Sequence, residues 1–175
     1  MCHEWSTCIY VSDEDAHHGA SHFCELICRA LDSVWKQAQR QNRPMPQHLV
    51  VQSDNTTAQA KNSVASICLA YLVLRGKFLT ATLNLLSARR THEDVDRLFA
   101  LILIRVLRRH RFEVPDDLVM LLQEELLSYV KSQQEELVVE RVTNIHDFED
   151  HLAPLGVTLS NCVTGRALGC PQFHL

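Results

Sequence analysis

Two short stretches carry residue types suited to divalent-metal chemistry. Asp54 follows the apolar run Leu49-Val50-Val51, closed by Gln52 and Ser53, and opens a polar turn with Asn55 and Thr56. Thr91-His92-Glu93-Asp94-Val95-Asp96 stands ahead of a long run of periodically spaced apolar residues. Mg²⁺ and Mn²⁺ take oxygen ligands, carboxylates foremost, and acids at a strand tip and at a helix start can hold them at the edge of an α/β sheet. Lys61 and Asn62 lie between, in the first turns of the helix expected after Asp54.

The second acidic stretch also has a purely structural reading. Thr91 with Asp94 three residues on resembles a capping box, and acids favour the positive end of a helix. Helical phase, about 100° per residue, separates the acids. Val95, Leu98, Phe99, Ile102 and Val106 fall on one side, Glu93 falls toward solvent, and His92 and Asp96 border the apolar side. Asp96 is therefore expected to turn toward Asp54, with carboxylates roughly 4–8 Å apart and His92 at the rim of the same cleft. Capping alone would require no such convergence.

Three further groups have two readings each. Asp13, Glu14 and Asp15 could touch a metal or form a solvated turn. His17, His18, His22, Cys24 and Cys28 have zinc-binding atoms, but no paired CxxC frames them. The alternative is an amphipathic helix over 20–41, with Phe23, Leu26, Ile27, Leu31, Val34 and Trp35 as its apolar stripe and free thiols buried among them. Arg105, Arg108, Arg109, His110 and Arg111 place cations at a helix end, where they suit the helix dipole or offer a phosphate-binding patch.

The elements that must position these residues read as an alternation of short strands and longer helices. Strands are expected at 7–11, 48–53, where a lack of alternation suggests burial on both faces, and 78–86. Pro44 and Pro46 end the first helix. A second helix spans 58–74, with Val64, Ile67, Cys68, Tyr71 and Leu72 inward, and stops at Gly76 in the left-handed conformation. Helices at 91–110 and 115–136 follow, the latter with Leu118, Leu121, Leu122, Leu126, Tyr129 and Val130 inward. A strand or helix end near 137–142 and a short helix to Leu152 close the pattern. It predicts an α/β fold in which the segments at 49–53 and 78–86 share one sheet flanked by helices.

With 175 residues, 46% hydrophobic and 22% charged, the chain has globular values and room for a sizeable core. The absence of internal repeats and low-complexity linkers predicts a single domain over residues 1–175. A net charge of −4 gives no general attraction to nucleic acid, so DNA binding would need a local basic patch. Seven cysteines in no scaffold-like spacing, no signal peptide at Met1-Cys2-His3-Glu4-Trp5 and no spanning segment suggest a reduced intracellular compartment, nucleus or cytoplasm, and no membrane partner. The oligomeric state has no signature in the chain.

At Asp54-Asn55, Lys61-Asn62 and Thr91-His92-Glu93-Asp94-Val95-Asp96 the chain resembles a family of transposon-derived proteins. Their pattern is a strand ending in Asp-Asn, then Lys-Asn, then Gly-His-Thr-His-Glu-Asp-aliphatic-Asp. That family is similar to the ribonuclease-H-like catalytic core of cut-and-paste transposases and integrases, whose metal-dependent chemistry acts on DNA phosphodiesters. The resemblance runs from Ile9 to Leu175. It implies a ribonuclease-H-like mixed sheet, Mg²⁺ or Mn²⁺ as cofactor and Asp54 as the second catalytic acid. The third comes from the His92–Asp96 turn, so Glu93 joins Asp54 and Asp96 among the candidate metal ligands and His92 stands as a catalytic candidate. Lys61, Asn62, Arg89, Arg90, Arg105, Arg108 and Arg109 are the candidates for contact with DNA.

Two departures matter. Arg89-Arg90 replaces the family's Gly-His, removing a flexible turn residue and a ligand or proton donor. The first catalytic acid is expected on a strand ahead of the one near Thr7, so the chain reads as N-terminally incomplete and catalytically inactive. The alternative is a non-catalytic α/β domain that binds protein or nucleic acid through the Arg105–Arg111 end.

Overall fold

The structure, a computed structural model, describes residues 6–13, 19–53, 63–85, 93–132 and 136–152. The architecture is α/β, with five α-helices and two parallel two-stranded sheets among the described residues. The chain forms two compact units. One comprises Met1–Ala16 and Thr91–Asn144, and the other His17–Arg90 and Ile145–Leu175.

In the first unit, β1 (Ser6–Ser12) pairs in parallel with β4 (Glu136–Val142), from Ser6 opposite Glu136 to Ser12 opposite Val142. Helix α4 (Pro115–Ser132) starts on a cap in which Asp117 Oδ2 accepts the backbone N–H groups of Glu113 and Val114 at 3.2 and 3.3 Å. Its Leu118, Leu121, Leu122 and Leu126 pack inward as the periodicity requires. The side chains of Tyr129 and Val130 lie outside the described part.

Helix α3 (Glu93–Ile102) runs into a π-helical turn, Leu103–Leu107, closed by the Arg108 N–H donating to the Leu103 carbonyl at 3.0 Å. The wider turn has a packing reason. Leu98, Leu101 and Ile102 face the core, and an extra residue per turn keeps fully buried Val106 on that same side. Leu98, Ile102 and Val106 are inward as the periodicity suggests, with Leu101 beside them, whereas Val95 and Phe99, expected on the same side, are 46% and 65% exposed. Apolar residues on several sides of this helix left its phase ambiguous.

The second unit is built on a strand–helix–strand segment: β2 (His48–Ser53), α2 (Ser63–Leu74) and β3 (Thr80–Leu85). The two strands pair in parallel, His48 opposite Thr80 through Ser53 opposite Leu85, so the two segments share a sheet as expected. Leu49 and Val51 turn toward Leu69, Val73, Ala81 and Leu83, while Val50 is exposed. Burial of β2 on both faces is thus corrected: the strand alternates, and only its outward residue being apolar hid this.

Helix α1 (Ala20–Arg40) adds Phe23 and Ile27 to that core. It ends on Asn42 at φ 52°, with the Asn42 and Arg43 N–H groups donating to the carbonyls of Gln39 and Ala38. Helix α2 ends the same way on Gly76 at φ 67°, as its position predicted, through Lys77 to Leu72 and Gly76 to Val73. Helix α2 is apolar all round, and the residues it buries are Ala65, Cys68, Leu69 and Val73; Tyr71, expected inward, is exposed. The short helix α5 (Phe148–Leu152) is tied to α1 by Ser21 Oγ, which accepts the N–H groups of Phe148 and Glu149 at 3.0 and 3.3 Å.

Candidate functional site

Parallel pairing in register brings the carboxyl ends of β2 and β3 to one edge of their sheet, since Ser53 stands opposite Leu85. Asp54 is the next residue after β2, and the segment containing Arg89, Arg90 and His92 departs from β3 at the same edge. In parallel α/β arrangements ligands gather at this end of the strands. Asp54 itself lies outside the described residues, as do Lys61, Asn62, Arg89, Arg90 and His92. The expected Asp54–Asp96 separation therefore also falls outside them.

Glu93 opens α3, although its side chain is outside the described part, and Asp96 sits in the first turn. Asp96 is exposed. It precedes Leu98 by two residues, which places it about 200° around the helix and away from the packed side. The expectation that it borders the buried stripe is corrected by this phase, which leaves its carboxylate open to solvent. Asp54, Glu93 and Asp96 offer only carboxylate oxygens, the donor type that Mg²⁺ and Mn²⁺ prefer. Among the described residues no group of three His, Cys, Asp or Glu is placed to hold a metal ion.

The basic end is better defined. Arg108, Arg109 and Arg111 are exposed and Arg105 is half-buried, and among the described residues no carboxylate pairs with any of the four. His110, in their midst, places Nε2 3.4 Å from Glu125 Oε1.

Asp13 is neither a free metal ligand nor a solvated turn residue. Arg141 Nη2 donates to Asp13 Oδ1 at 2.9 Å and Arg141 Nη1 to Asp116 Oδ2 at 2.6 Å. The Asp13 hydrogen bond is the main influence raising the guanidinium above its ordinary range; burial opposes it, and the Asp116 charge reinforces it. No local motif could have announced this clamp, because Asp13 and Arg141 are 128 positions apart.

The cysteines of α1 have a partner that sequence reasoning missed. Cys24, Cys28 and Cys68 form one cluster with Leu152, and the three thiols hydrogen-bond among themselves. The bond to Cys68, then burial, pushes the Cys28 thiol far up; the bond to Cys24 leads in lifting Cys68 to about 12. Among the described residues no group of three His, Cys, Asp or Glu is placed to hold a metal ion, and these thiols pack into the core beside Leu152. His17 and His18 of the zinc reading lie outside the described residues, and His22 is buried.

Glu25, unremarked in the sequence, is buried in the same helix. Arg29 Nε donates to Oε1 at 2.7 Å, and His146 Nδ1 lies 2.7 Å from Oε2. Burial pushes the carboxyl up, but the His146 and Arg29 bonds together hold it below its ordinary value of 4.5. A lowered folded value means stability that is present above pH 4.5 and lost as pH falls through that lower value. Glu25→Gln is expected to cost about 1.5–3 kcal/mol at neutral pH and to flatten the acid limb, as read from urea midpoints between neutral and acid pH.

No helix among the described residues is long and apolar enough to cross a membrane. A family model matches residues 2–167 and is described as a domain of unknown function, DUF7869. No curated protein and no solved structure matches the chain.

Proposed function

The chain belongs to the DUF7869 family, and we propose that it is a transposase- or integrase-like domain of ribonuclease-H-like fold, of the kind that does metal-dependent phosphodiester chemistry on DNA, and that it is catalytically incomplete, Arg89-Arg90 standing where the resembled family has Gly-His. The observation that carries this reading is the shared carboxyl edge of β2 and β3. Asp54 leaves one strand there, and the segment leading to His92, Glu93 and Asp96 leaves the other. The Asp-Asn, Lys-Asn and Thr-His-Glu-Asp-Val-Asp motifs add the residue types, and the side chain of Asp96 is exposed.

Asp54 and Asp96, with Glu93, would hold Mg²⁺ or Mn²⁺, and such an ion polarises a phosphoryl oxygen and steadies the charge that develops on it. Lys61, Arg89 and Arg90 belong to the segments that leave this edge and would meet the DNA backbone. The test is Mn²⁺ titration of the whole chain followed by electron paramagnetic resonance. One saturable site is expected, weakened at least about tenfold in Asp54→Asn and in Asp96→Asn. Unchanged Mn²⁺ affinity in Asp54→Asn would overturn the reading.

A second reading is favoured by the four arginines that have no carboxylate partner among the described residues. In it the domain is non-catalytic and holds nucleic acid through Arg105–Arg111. Mn²⁺ separates the two, because this surface needs no metal.

A further inference from the structure

A pocket of about 290 Å³ opens in the second unit, away from the β2–β3 carboxyl edge. Its walls are Leu31 and Trp35 of α1, Met45, Leu72 of α2 and Phe78, and Cys28 also lines it. Size and lining are those of a small-molecule site: mostly apolar, near the lower limit of the range of roughly 300–1,000 Å³, with few polar groups. An apolar cavity of about 150 Å³ admits benzene, so this space suits a body of about two fused rings.

The charges at its rim decide what kind of two-ring body. Asp32 and Lys77 are the charged residues lining the pocket, and both are exposed. Asp32 is already paired, its Oδ2 2.6 Å from Lys36 Nζ. Lys77 has no carboxylate partner among the described residues; its Nζ lies over the Trp35 ring, 5.4 Å from the centroid. A cation over an exposed aromatic ring is weakly held, and a carboxylate offers it a charge-assisted hydrogen bond instead. Trp35, 40% exposed, presents part of its ring surface for a second ring to stack on.

We propose that this pocket binds a small aromatic carboxylate, its two-ring body lodged between Trp35, Leu72 and Phe78 and its carboxylate on Lys77 Nζ. The Asp32–Lys36 pair leaves the rim one positive charge in excess, so it selects anions over neutral or cationic bodies of the same shape. The assignment is independent of the DNA reading, since none of its residues belongs to the acidic motifs or the basic end.

The probe is naphthalene-2-carboxylate, titrated calorimetrically into the whole chain beside the neutral analogue 2-naphthylmethanol. Saturable one-to-one binding of the carboxylate is expected, at least about tenfold tighter than the alcohol. Lys77→Met, which keeps the apolar stem at an exposed position, should erase that difference while leaving the alcohol unchanged. Leu72→Trp, filling the pocket, should abolish binding of both. No saturable binding would overturn the proposal. Equal binding of the two compounds, or a Lys77→Met chain that keeps its preference for the carboxylate, would overturn it as well.

Discussion

Leu69→Ala is expected to lower the urea midpoint of the unit formed by His17–Arg90 and Ile145–Leu175 sharply, with a loss of about 2–5 kcal/mol in unfolding free energy. Leu69 has no exposure and stands at the centre of a core built from α1, α2, β2 and β3. Val73 lies one turn along the same helix, Ala81 and Leu83 approach from β3, and Phe23 and Ile27 approach from α1. Removing three carbons there loses transfer free energy and leaves a cavity that neighbours fixed from several sides cannot close. Total stability of a domain is commonly about 5–15 kcal/mol, so the upper half of that cost would leave the unit marginal at body temperature. The slope of the denaturant dependence should stay unchanged, because the surface exposed on unfolding is nearly the same. Leu79→Ala is the matched control. Leu79 is 62% exposed in spite of its place in the alternating run before β3, and its loss should stay within about 0.5 kcal/mol.

The contrast between Leu69 and Leu79 marks how far the sequence could be read. Strand and helix types follow from local chemistry and were legible. Thr-Cys-Ile-Tyr-Val makes a strand, Gly76 stops α2, and the 20–41 periodicity makes a helix that the structure ends at Arg40. Which side of an element is buried depends on what packs against it, and that was legible only where polar residues mark the other side. Helix α4 has such marks and α2 has none, so Leu122 and Leu126 were identified while Leu69 and Val73 were not. In α3 apolar residues lie on several sides, so Leu98, Ile102 and Val106 were identified together with Val95 and Phe99, which the fold leaves exposed.

The candidate site divides along the same line. The order of its motifs, and the place of Asp54 directly after a strand, follow from the chain itself. Partners distant in sequence do not. Arg141 with Asp13, Glu25 with His146, and Cys28 with Cys68 each join elements that only the fold brings together. The cysteines show the cost of reading locally: grouped with His17 and His18 they resemble metal ligands, whereas in the fold Cys24 and Cys28 pack with Cys68 and Leu152 in the core.

Replacing Arg108, Arg109 and Arg111 together by glutamine is expected to remove most of the salt dependence of DNA binding. If four guanidiniums at this end each neutralise one phosphate, the logarithm of affinity falls with the logarithm of salt at a slope of about −3.6. Raising salt from about 50 to about 200 mM would then weaken binding of a short mixed-sequence duplex roughly a hundredfold. With only Arg105 left, the slope should shrink to about −0.9, and affinity at low salt should fall by more than about tenfold. The three altered residues are exposed and have no described carboxylate partner, so the urea midpoint should not move, and lost binding cannot be ascribed to unfolding. Their contribution should be the same for any duplex sequence, because guanidiniums on phosphates position a protein without reading bases. It should also persist in chelator, since no carboxylate–metal contact is involved. A triple variant that keeps the native slope would show that this end of the helix is simply solvated, its cations answering only to the helix dipole. DNA binding would then have to come from the segments around Lys61, Arg89 and Arg90.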